Sequence, residues 1–230
     1  MDLILLLFFL GVGLYYVLPW IYGRHLKNKI ECQTKKDHSI YLTFDDGPGN
    51  VMTSRILDIL AKDNIKATFF LLGCHIPGRE HIVRRIAQEG HSIGFHGFNH
   101  LHAWKTWPWN SIRDIREGWK VLDQALGSAT QNIYPFRPPY GKMNLISLIY
   151  LWHKKLPIIL WTVDSQDTGR WYDGTPSYER ICRNLSDGGV LLLHDFDRPS
   201  SEREQYVLDT LEEIIKSISS ERFRFNFLFD

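Results

Sequence analysis

The alternation of short apolar runs with helical patterns restricts the possible folds of this chain more than any other feature. Beyond residue 38, Ser39–Phe44, Ala67–Leu72, His91–Phe95, Ile133–Phe136, Ile158–Val163 and Val190–Leu193 read as strands. Between and after them, Thr53–Lys62, Ile82–Gln88, Ser111–Leu126 and Arg203–Ile218 carry helical spacing, with Thr53 a candidate cap and Gly90 a stop. A last strand is expected near Phe223–Phe227. Strands separated by helices pair in parallel, because the helix supplies the crossover that parallel neighbours need. An α/β fold with a largely parallel sheet is therefore predicted. Ligands in such folds gather at the C-terminal ends of the strands.

Several of these runs end in groups suited to metal and acid–base chemistry. YLTFDDGPGN places Asp45 and Asp46 side by side at a strand end; the strand from His91 ends in His96, with His100 soon after. Ile158–Val163 leads into Asp164 and Asp167, Val190–Leu193 into His194-Asp195, and Ile133–Phe136 into Arg137-Pro138-Pro139-Tyr140-Gly141. On a helical turn, His96 and His100 would share a face and could share a metal, with an Asp as third ligand. A divalent cation would offset the repulsion of adjacent carboxylates. One Asp could then bind metal while its neighbour serves as a base. Taken alone, each pair also suits a plain turn or an incidental surface histidine.

Composition narrows the function classes. The 230 residues carry a formal charge of +1, which gives no polyanion-binding signature and argues against nucleic acid as a partner. Cys32, Cys74 and Cys182 form neither a disulfide framework nor a CxxC knuckle, and buried free thiols are expected. His91, His102 and His153 read as structural or surface residues, and Asp195 as structural. The loop LHAWKTWPWN suits core packing as well as sugar stacking or contact with a membrane surface.

The first 23 residues stand apart. Leu3–Gly23 carries no charge and is long enough to span a bilayer; Tyr15, Tyr16, Trp20 and Tyr22 would form an aromatic belt. The start is Met1-Asp2, and no small-residue cleavage site follows, so a retained anchor is expected in preference to a signal peptide. The division expected is 1–23 as transmembrane anchor, 24–38 as a basic linker and 39–230 as the functional domain. Arg24, Lys27 and Lys29 after the span place that domain in the cytoplasm by the positive-inside rule.

Thr43-Phe44-Asp45-Asp46-Gly47-Pro48, His96-Gly97-Phe98-Asn99-His100, Arg137-Pro138-Pro139-Tyr140-Gly141, Asp164-Ser165-Gln166-Asp167 and Leu191-Leu192-Leu193-His194 occur in this order. Together they resemble the five motifs of the polysaccharide deacetylases, the NodB-homology family (carbohydrate esterase family 4). The resemblance implies a distorted (β/α) barrel and a divalent metal, zinc above all. It implies Asp46, His96 and His100 as metal ligands, Asp45 as general base and His194 as general acid. Arg137 would orient Asp45 and Asp167 would tune His194. The Tyr140 backbone N–H would face the oxyanion, and Leu193 would line an acetyl pocket. It departs from the pattern at Gly97, where the family carries Ser or Thr, and at Thr168, where it carries Trp; Trp171 is a nearby substitute. Resemblance to secreted cell-wall enzymes favours the extracytoplasmic side, against the flanking charges. The activity implied is removal of N-acetyl groups from an N-acetylated sugar. The alternatives are an O-deacetylase, a deacylase of a lipid-linked sugar, or a membrane-bound glycan-binding pseudoenzyme.

Overall fold

The computed structural model describes residues 2–127, 133–168, 178–219 and 224–225. Helix α1 (Asp2–Asp37) precedes a repeating strand–helix succession. Strands β1 (Ser39–Asp45), β2 (Thr68–Leu71) and β3 (Ser92–Phe95) are linked by helices α2 (Met52–Lys62) and α3 (Glu80–Gln88). Helices α4 (Pro108–Leu126) and α5 (Leu145–His153) lead to β4 (Val163–Asp164), then α6 (Tyr178–Asn184), β5 (Gly189–His194), α7 (Ser201–Ser219) and β6 (Arg224–Phe225).

Among the described residues every strand pairing is parallel, in the order β3-β2-β1-β5-β4, with β6 also on β1. Parallel bridges from Phe95 to Phe136 and from Phe136 to Ile158 continue the order past β3 to the segment that ends in β4. The hydrogen-bonded order thus returns to β5, consistent with a distorted barrel. Ile133–Phe136 was expected to be a full strand, but it pairs only at Phe136. Pro135, Pro138 and Pro139 flank that residue and lack the N–H that a ladder requires.

Side chains alternate across the wall. Ile40, Leu42 and Phe44 of β1, with Leu191 and Leu193 of β5, enter the core beneath the helices alongside Ile56, Leu60 and Leu211. Thr43, Asp45 and His194 take the opposite face. Helix α2 begins at Met52, so Thr53 lies inside it and is not its cap. The Asp197 carboxylate accepts from the backbone N–H of Asn50, Val51 and Met52 at 2.5, 2.9 and 3.0 Å. Helix α4 ends at Gly127, whose φ of 66° is the left-handed conformation glycine adopts freely.

The N-terminal expectation is corrected. Among the described residues, no helix is long and apolar enough to cross a membrane. From Phe9 onward the aliphatic residues are diluted by Gly11, Gly13, Tyr15, Tyr16, Pro19 and Tyr22, and Arg24 follows. One continuous helix covers both the expected anchor and the expected linker. From Tyr16 onward it contacts the rest of the chain, with Tyr16 edge-on to Trp104 at 5.8 Å and Tyr22 edge-on to Trp152 at 5.1 Å. The membrane localisation and the two orientations weighed for it fall with the span. The thiols also differ from expectation: Cys32 and Cys74 are exposed and Cys182 is half-buried.

Candidate functional site

Asp45 is the last residue of β1, 2% exposed, and its Oδ1 accepts from Arg137 Nη1 at 2.7 Å. The same guanidinium nitrogen donates to Thr43 Oγ1 at 2.7 Å, and the Thr43 hydroxyl donates to the Leu191 carbonyl at 2.6 Å. Arg137 is fully buried, with its guanidinium 4.0 Å from the Phe70 ring centre. Burial pushes the Asp45 carboxyl above the ordinary range, while Arg137 pulls it down less strongly.

Asp46 follows at φ 71°, where regular alternation has stopped, so both carboxylates turn toward the same side. Its Oδ1 is buried without a hydrogen-bond partner. That oxygen lies 3.6 Å from His96 Nε2 and 3.4 Å from His100 Nε2. Asp46, His96 and His100 present donor atoms that all lie within 4.8 Å of one another. His96 Nδ1 donates to the Arg137 carbonyl at 2.7 Å, which leaves Nε2 as the lone-pair nitrogen. Burial lowers the His96 pKa to about 3, so the ring is neutral. The neutral His96 ring, the His100 imidazole and a carboxylate whose Oδ1 has no hydrogen-bond partner make a donor set that fits a divalent cation.

The two histidines converge by a different route from the expected helical turn. Residues 97–100 form a loop, with Gly97 at φ 85° and His100 at φ 57°. Asp114 of α4, 5% exposed, holds that loop by accepting from the N–H of Phe98 at 3.0 Å and of Asn99 at 2.8 Å. A Cβ at Gly97 would sit 2.4 Å from Asp114 Oδ2. The missing hydroxyl at Gly97 is therefore matched by a carboxylate that occupies the space.

On the other side of the site, His194 Nδ1 donates to Asp167 Oδ1 at 2.7 Å, and its backbone N–H donates to Oδ2 at 3.0 Å. Arg198 Nη2 donates to the same Oδ2 at 2.9 Å, and the Ser165 hydroxyl donates to Oδ1 at 3.0 Å. Burial disfavours a charged His194, but Asp167 outweighs it and raises the ring to about 9. For Asp167, burial is likewise overcome by His194 and Arg198, and the carboxyl is held low.

Tyr140 is 54% exposed at φ 58°, with its ring centre 4.6 Å from that of His100 and 4.8 Å from that of His102. Leu193 is placed elsewhere: it is wholly buried in the core, and the two-residue repeat puts Leu192 on the His194 face. Thr168 is exposed, and Trp171 lies outside the described residues. His91 is structural, its Nδ1 accepting from the Ala67 N–H at 3.2 Å. Asp195 is buried and accepts from the Thr53 hydroxyl at 2.6 Å, tying the end of β5 to α2.

Sequence reading missed Asp114, Arg198 and Thr43. Asp114 and Arg198 belong to none of the strand-end motifs, and only the fold brings them to the site. Thr43 carried one signal, a hydroxyl two residues before Asp45 and so on the same strand face.

An α/β fold with paired carboxylates and histidines at parallel strand ends has the form of a hydrolytic metal site. The comparisons make the family specific. Residues 33–151 match the family model described as polysaccharide deacetylase, and the chain belongs to that family. It is 34% identical to a peptidoglycan-N-acetylglucosamine deacetylase of Bacillus cereus, over 81% of this chain and 65% of that protein. It is 28% identical to a chitooligosaccharide deacetylase of Bradyrhizobium sp., over 79% of this chain and 81% of the relative. The chain spans 35% of the length of the peptidoglycan-N-acetylglucosamine deacetylase PgdA of Listeria monocytogenes. The crystal structure of the Bc1960 peptidoglycan N-acetylglucosamine deacetylase superposes with a TM-score of 0.70 at 34% identity, covering 83% of this chain and 86% of that one.

Proposed function

We propose that the protein is a metal-dependent hydrolase that removes N-acetyl groups from an N-acetylated carbohydrate. The observation that carries the reading is the pairing of the Asp46–His96–His100 donor set with two separately tuned proton-handling groups, Asp45 and His194. Asp46, His96 and His100 hold the divalent metal, with zinc favoured by two imidazoles and one carboxylate. When bound, the metal lowers the pKa of water and polarises the acetamide carbonyl.

Asp45 accepts the proton of the attacking water. Its raised pKa brings it toward the range useful to a base near neutrality, and Arg137 fixes its orientation through the 2.7 Å ion pair. His194, protonated near neutral pH, donates its proton to the departing amine, and Asp167 holds its Nδ1 so that Nε2 faces the reaction. The Tyr140 backbone N–H faces the developing oxyanion. The wall expected of Leu193 falls to Leu192, which shares the strand face of His194.

The test is a product assay on N-acetylated oligosaccharides with zinc. Wild-type protein releases acetate. Asp45→Asn lowers kcat by about a thousandfold or more, while equilibrium dialysis finds the same zinc stoichiometry. Full activity in that variant would remove Asp45 from the reaction. Absence of both bound metal and acetate release in the wild type would favour the glycan-binding pseudoenzyme.

A further inference from the structure

Beside the metal site, α1 and the Tyr140 loop enclose a cavity of about 460 Å³. Tyr140, which forms one wall, also stacks near His100, so the cavity and the site are contiguous. Trp20, Trp104 and Trp161 also line it. Among the described residues, Arg24, Lys27 and Lys142 line the same space, and no carboxylate does. Arg24 stands over the Trp20 ring at 5.1 Å and Lys142 over the Trp104 ring at 4.7 Å. Among the described residues, none of the three cations has an ion-pair partner. Two of these cations come from α1, of which only the last residues fall within the matched family region. The chain's near-neutral total hides this local cluster.

We infer that this cavity is a subsite for a phosphate group carried by the N-acetylated sugar or its neighbour. The inference rests on the deacetylase reading for the position of the reacting sugar. The aromatic walls offer flat apolar faces to a sugar ring. Three cations lining one cavity, two of them held over rings, repel one another, and an anion placed between them relieves that repulsion. A phosphate monoester, with three free acceptor oxygens and nearly two charges, meets three donors and leaves one positive charge unmatched; a single carboxylate leaves two.

The experiment compares kcat/KM of the zinc-loaded full chain on four substrates of equal length: a neutral N-acetylated oligosaccharide, its phosphate monoester, its phosphodiester and a carboxylated analogue. We expect a phosphorylated form to be favoured about tenfold over the neutral one, with the advantage fading at high salt. Arg24→Gln with Lys27→Gln should bring the ratio toward one, while Arg24→Lys with Lys27→Arg should keep it. A preference for the diester points to a phosphate-linked polymer or carrier, and one for the monoester to a terminal sugar phosphate; either supports the subsite. A ratio of one in the wild type, an unchanged ratio in the glutamine variant, or a preference for the carboxylate over phosphate overturns it. Tryptophan fluorescence titration of the metal-free protein with the phosphorylated sugar separates this inference from the activity. Binding lost in the glutamine variant, with no hydrolysis of any substrate, upholds the subsite and counts against the deacetylase. Hydrolysis of the neutral sugar without phosphate binding does the reverse.

Discussion

His194 is held protonated by a neighbour that can be replaced without changing its shape. Burial alone would lower the ring; Asp167 carries it to about 9 instead, with help from Asp45 and Asp46. A general acid works only while protonated, so activity should decline as pH rises through about 9. Asp167→Asn keeps the side-chain volume and an acceptor for Nδ1 but removes the opposing charge. The alkaline limb of the kcat profile should then move to lower pH, toward or below the ordinary histidine range. An unmoved limb would mean that the titration seen there belongs to another group. The same charge also bears on stability. A group raised on folding stabilises fully below its unfolded pKa and loses that contribution as pH rises through its folded value. The stabilisation from the His194–Asp167 pair should therefore be lost as pH rises from about 6.5 to about 9, visible as a falling Tm that Asp167→Asn flattens.

Elements set the histidine geometry. The motif with three residues between His96 and His100 suggested a shared helical face, but the chain makes a loop held from α4. Asp114→Ala leaves two loop N–H groups without their acceptor, at a cost of about 1–3 kcal/mol. It should lower zinc affinity more than it lowers Tm, because the loop carries one ligand at each end. Isothermal titration and thermal melts measure the two effects. Gly97→Ser restores the family's hydroxyl, yet it places a Cβ against Asp114 at a left-handed backbone position. Backbone strain of about 1–2 kcal/mol is added to the collision, so zinc affinity and Tm should both fall. A gain in either would show that the loop can accept the side chain.

For the whole molecule, metal binding and folding should be coupled. Asp46 Oδ1 is buried without a hydrogen-bond partner, 3.6 and 3.4 Å from His96 and His100 Nε2, and a cation among them gives all three a common partner. Zinc at about a thousand times its Kd should stabilise the fold by about 4 kcal/mol, raising Tm by about 10 °C for a chain of this size. Chelation should reverse the rise. No shift with zinc, cobalt or manganese would separate the donor cluster from metal binding.

The alternation of apolar runs and helical patterns determined the α/β class and most strand positions, because periodicity is local and each run had to bury one or both faces. The paired Asp45 and Asp46, the histidines and Arg137 were legible because family-like motifs fall at strand ends. The rest depended on packing. A two-residue repeat moved Leu193 into the core and left Leu192 beside His194. Proline flanks reduced Ile133–Phe136 to a single bridge. The uncharged N-terminal run looked like a bilayer span because lack of charge is not the same as apolarity: its glycines, tyrosines and proline lower the hydropathy below what a span needs. Tertiary structure set the later part of that helix against the domain and brought Arg24 and Lys27 to the cavity that Tyr140 also lines. It also delivered Asp114 and Arg198 from distant segments, for which a linear sequence has no local signal: a hydrogen bond across the fold depends on where two elements meet, and chain spacing does not encode that meeting.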